Sequence, residues 1–81
     1  MNITGQKSFV NFLKIIKTQI YDEMNNCYIP EQYYQVYYKC LGIEQTLNSM
    51  KTEIKDEKII EYIGDCLESI ETCKYYCQRR F

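Results

Sequence analysis

Histidine is absent from this chain. That removes the commonest general base and the commonest transition-metal ligand among side chains. Alanine and tryptophan are absent too, and Pro30 and three glycines are all that punctuate the chain. No Gly-rich phosphate loop and no nucleophile elbow can be found. No apolar run approaches the roughly 18 residues that a membrane span needs. Met1–Lys7 lacks the basic-then-apolar layout of a secretory leader, so the expected location is the cytoplasm. Carboxylate pairs occur only on faces that helical spacing turns outward. These absences disfavour an enzyme and a membrane protein, and no cofactor is expected.

Charge is nearly balanced, with ten basic and eleven acidic residues. Residues 1–26 carry Lys7, Lys14 and Lys17 against Asp22 and Glu23, residues 27–55 cancel, and residues 56–81 hold six acids against four bases. Nothing resembles the concentrated basic patch that phosphate-dominated binding requires, so direct nucleic-acid binding is disfavoured. Isoleucine, lysine, asparagine and tyrosine are heavily used, which fits an AT-rich coding sequence from a low-GC bacterium, a phage or a mobile element.

What is present is helical periodicity, and 81 residues leave room for one domain. A first helix is predicted over about 5–25, with Thr4 as N-cap. Its apolar face is Phe9, Phe12, Leu13, Ile16, Ile20 and Met24. Asn25–Tyr28 reads as a helix end and short loop. Pro30 suits the first turn of a second helix over 30–54, because its missing N–H is no loss there. Tyr33, Val36, Cys40, Ile43, Leu47, Met50 and Ile54 then alternate three and four apart, as a bundle seam does. Gly42, in mid-helix, predicts close approach of a neighbour.

The stripe restarts in a new phase with Ile59, Ile63, Cys66, Ile70, Cys73 and Cys77. This predicts a turn near 55 and a third helix over 56–79, capped by Asp56. The expected fold is therefore all-α, a small antiparallel three-helix bundle. The rival is a helical hairpin with one long continuous second helix, which could cover its apolar face only as a dimer.

Three features stand out against that frame. Five cysteines are one. Cys66, Cys73 and Cys77 share a face and are the candidates for a metal or redox site. However, Cys27 and Cys77 fall on the order of 10 Å from Cys40 and Cys73 along the bundle, too far for one ion. Packing as small core hydrophobes is the plainer reading. Nine tyrosines are the second feature. Tyr33, Tyr34, Tyr37 and Tyr38 open the second helix, while Tyr75 and Tyr76 close the third at the same end, with Tyr21 and Tyr28 nearby. Such a collar suits a partner-binding surface, because tyrosine offers a rigid face with a hydrogen-bonding tip.

The third feature is an acidic line of Glu57, Glu61, Asp65 and Glu68, with Glu71 beside it. It reads either as a solvated face or as a ridge that docks on a basic protein groove, in the manner of a nucleic-acid backbone. The sequence points to a small interaction module, a regulator or inhibitor with a protein partner. A thiol-based metal or redox protein and a structural homodimer remain as alternatives.

Overall fold

The computed structural model describes the backbone from Ile3 and side chains from Lys7 to Phe81. Helix α1 runs Ile3–Asn25, α2 runs Pro30–Glu53 and α3 runs Glu57–Gln78. No strand occurs among the described residues. Two local devices set the breaks. At the first, the Gln32 side-chain oxygen accepts from the backbone N–H groups of Tyr28 (2.6 Å) and Ile29 (3.2 Å), closing the chain back just ahead of Pro30. At the second, Ile54 adopts an extended backbone and ends α2. Asp56 then caps α3, its Oδ1 accepting from the N–H of Lys58 at 3.0 Å and of Ile59 at 3.4 Å. The turn at 54–56 rules out the continuous-helix alternative. The three-helix bundle is the fold.

The first helix departs from its expected start. It begins at Ile3, so Thr4 lies inside the first turn and not at an N-cap position.

α3 is the keystone. Ile59, Ile63, Cys66, Ile70, Cys73 and Cys77 are all essentially buried, because this helix is covered by both of the others. Against it α2 packs Val36, Cys40 and Leu47, with Tyr33, Ile43, Met50 and Ile54 half-buried at the margin. α1 contributes Leu13 and Ile20, flanked by Phe9, Ile16, Tyr21 and Met24. The Lys74 ammonium holds the Glu44 carboxylate at 3.0 Å across the α2–α3 seam, a largely covered pair. This contact also holds Lys74 above its ordinary pKa, chiefly through the hydrogen bond to Glu44.

α1 and α2 barely meet. The bundle is accordingly 43 Å long and 20 by 14 Å across, wider than it is thick, with α1 and α2 spread over α3. Two expectations fail for this reason. Phe12 sits at the α2-side edge of the α1 stripe and is 50% exposed, since no helix reaches it. Gly42 has no close neighbour either, and a Cβ placed there would meet nothing within 4 Å. A groove of about 580 Å³ runs between the two helices instead, from Phe12 and Met50 to the Glu23–Lys39 ion pair.

Candidate interaction surfaces

The tyrosine collar forms where the start of α2 meets the end of α3. Tyr33 is anchored first: its hydroxyl donates to the Cys27 carbonyl at 3.1 Å, tying α2 to the preceding loop. Its ring faces Tyr76 with centroids 6.3 Å apart. One turn apart on the outer side of α2, Tyr34 and Tyr38 meet edge to face at 4.8 Å. The Tyr38 hydroxyl beside it is the main cause of a raised Tyr34 pKa. Tyr37 is half-buried between this pair and the core.

Two residues that the tyrosine pattern did not single out complete the collar. The chain turns after Gln78, and Phe81 lies edge-on to both Tyr34 and Tyr37, each at 5.2 Å. Arg80 stacks over Tyr76 at 3.4 Å and reaches Tyr33 at 5.7 Å. Phe81 thus docks on α2 and not on the turns of its own helix, whose end at Arg79 stays right-handed. Tyr34, Tyr38, Tyr76 and Phe81 remain between 39% and 56% exposed, so the collar keeps aromatic surface in solvent.

Tyr75, by contrast, makes no ring contact with the other tyrosines among the described residues. It lies five turns beyond Glu57 at about 3.6 residues per turn, on the same outward face as the acidic line. Its ring is 5.3 Å from the Lys74 ammonium. Tyr21 and Tyr28 also fall outside the collar: Tyr21 is half-buried against the core, and Tyr28 is 82% exposed in the loop between α1 and α2.

Glu57, Glu61, Asp65, Glu68 and Glu71 are all exposed, opposite the buried stripe of α3. The two ion pairs among the described residues, Lys39–Glu23 and Lys74–Glu44, involve none of them. Glu57 in the first turn suits the positive end of the helix dipole, whereas the carboxylates that follow gain nothing from it. Beside the acidic line, toward α1, Lys7 and Lys14 of α1 and Lys58 of α3 border a groove around Tyr62. Three lysines from two helices meet there, a convergence invisible in the linear charge count.

All five cysteines are buried free thiols. Burial, and secondarily the neighbouring thiols Cys73 and Cys77, pushes Cys40 up to about 12. Burial likewise pushes Cys77 up to about 11, with Cys27 and Cys73 adding to the effect. The Cys27 thiol donates to the Glu23 carbonyl at 3.1 Å and the Cys66 thiol to the Leu13 carbonyl at 3.7 Å. These groups are therefore poor nucleophiles and poor thiolate ligands as placed. No set of three or more metal-ligating side chains is arranged around a common point among the described residues, Cys66, Cys73 and Cys77 included. No helix is long and apolar enough to cross a membrane among them.

Comparison with protein-family models, with curated protein sequences and with solved structures finds no match to this chain.

Proposed function

We propose that this chain is a non-catalytic protein-interaction module that regulates or inhibits a partner by docking on it. The observation that carries this reading is the aromatic collar of Tyr34, Tyr38, Tyr76 and Phe81. Its rings are held edge to face and under a guanidinium, yet remain about half exposed. Rings already fixed against one another lose little freedom on binding, which is what makes aromatic anchors effective. The acidic line ending at Tyr75 adds a second, continuous face suited to a partner with a basic surface. Exposed charges of that kind steer encounter more than they hold a complex together. An accessory regulator from a phage, a mobile element or a low-GC bacterium suits the size and the AT-rich composition, and action inside the cytoplasm suits five reduced thiols.

The test is kinetic, on the partner captured from the native cell by cross-linking and identified by mass. Tyr34→Ala and Phe81→Ala should raise the dissociation rate with weak dependence on salt. The double substitution Glu61→Lys with Asp65→Lys should slow association, and that effect should fade as salt rises. Unchanged rates for both sets, with the complex intact, would show that these faces are merely solvated.

A further inference from the structure

The groove between α1 and α2 is apolar and open, and its lining is unusual in one respect. Glu23 and Lys39 are the charged residues of that lining, and they neutralise each other at 2.9 Å. The rest is uncharged, with Phe12, Ile16, Ile20, Ile43, Leu47 and Met50 forming most of it. An occupant must therefore be apolar and has no net charge to match.

The same groove holds a knob and a hole. Phe12 projects at one end, half exposed, with Ile15 beside it at 54%. Gly42 leaves open space on the other wall. The Glu23–Lys39 pair sets the level of the two antiparallel helices against each other. Stepping along both from that pair, Gly42 comes level with Ile20, and Met50 level with Phe12. Phe12 and Ile20 are separated by about 12 Å along α1, with Ile16 midway.

From this arrangement we infer that the groove is the interface of a two-fold homodimer, in which the α1–α2 face of each copy packs on that of the other with the two α1 helices antiparallel. An axis through the level of Ile16 carries Phe12 of one copy to the level of Ile20 in its mate. There it meets the space left by Gly42, and the same contact recurs by symmetry. A self-complementary patch of this kind is what an isologous interface requires. The surface is available as well. The chain exposes 5721 Å², whereas a compact monomer of this length exposes about 5,200 Å². The excess is that of an elongated body, 43 Å by 20 by 14 Å, with an open groove between two of its helices. Self-association also gives the half-exposed Phe12 and Ile15 a place out of water, and it leaves the tyrosine collar and the acidic line free on both copies.

Sedimentation equilibrium of the full chain, from low to high micromolar, tests this directly. The expected result is a dimer that Phe12→Ala and Gly42→Lys each weaken by about tenfold or more. Gly42→Lys should keep full helicity, since its side chain has open space in the monomer and lysine favours a helix more than glycine does. Tyr34→Ala, at the collar, should leave the dimer unchanged. A monomer at every concentration would overturn the inference and leave the groove to a foreign apolar helix. So would a dimer that Phe12→Ala and Gly42→Lys leave intact, or one that Tyr34→Ala disrupts.

Discussion

The guanidinium carbon of Arg80 lies 3.4 Å from the centre of the Tyr76 ring, while its Nη1 donates to the Tyr76 carbonyl at 2.8 Å. One side chain thus closes the last turn of α3 and clamps a collar tyrosine from outside. Arg80→Ala should lower stability by about 1 kcal/mol, and Arg80→Lys should recover only part of it. An ammonium keeps the charge but loses the planar stack and the fixed fork. Urea denaturation with tyrosine fluorescence and far-UV circular dichroism measures both.

Phe81 is the roof over Tyr34 and Tyr37. Phe81→Ala removes two edge-to-face contacts on a residue that is still half exposed, so a loss of about 1 kcal/mol is expected. The near-UV dichroism of the tyrosines should weaken while helix content holds. An unchanged near-UV spectrum would mean that the terminal ring does not order the collar.

At the second turn, Asp56→Ala should cost about 1 kcal/mol, the usual effect of removing an N-cap that accepts two backbone N–H groups. Amide exchange should quicken first at Lys58 and Ile59, and uniform quickening over the whole chain would point elsewhere.

Gly64 in α3 borders open space, and a methyl group added at its Cα would meet nothing within 4 Å. Gly64→Ala should therefore raise stability by about 0.8–1 kcal/mol, the helix-propensity difference between the two residues. In a domain of this size that amounts to roughly 4–8 °C in melting temperature, which calorimetry resolves.

The thiols make a prediction about pH. Burial raises Cys40 to about 12 and Cys77 to about 11, both above their ordinary value of 9.0. Above that value the unfolded chain releases protons that the folded one retains, so alkali favours unfolding. Their contribution is fully present below about pH 9 and fades as pH climbs toward 11 and 12. Each thiol steepens the fall by about 1.4 kcal/mol per pH unit within its own window. Cys40→Val should flatten the slope of stability against pH above 9, compared with the unmodified chain at equal tyrosine content. At neutral pH a thiol reagent should react only as fast as the protein opens.

Much of this protein is decided by local periodicity. Six apolar residues at three-and-four spacing from Ile59 to Cys77 can share a buried face only as a helix, and all six do. The phase break after Ile54, Asp56 as a cap and Pro30 at a first turn likewise act over a few residues, so the two turns and the three helices were legible along the chain. The burial of Cys40, Cys66, Cys73 and Cys77 followed from their places in those stripes, as did the outward face of the acidic line.

Periodicity assigns residues to a face but does not say what stands opposite. Phe12 belongs to the α1 stripe by spacing and is half exposed because α1 leans on α3 and away from α2. Gly42 read as a point of close approach for the same reason and borders open space. Phe81 and Arg80 joined the collar only because the chain turns after Gln78 and brings them beside α2, a long-range juxtaposition. Likewise Tyr75 and Tyr76, adjacent in sequence, were parted by the angle of about 100° between successive helical residues, one turned to the acidic face and the other to Tyr33. Stripes are a property of one helix, whereas the splay of α1 from α2, and the groove it opens, is set by how all three share the core of α3.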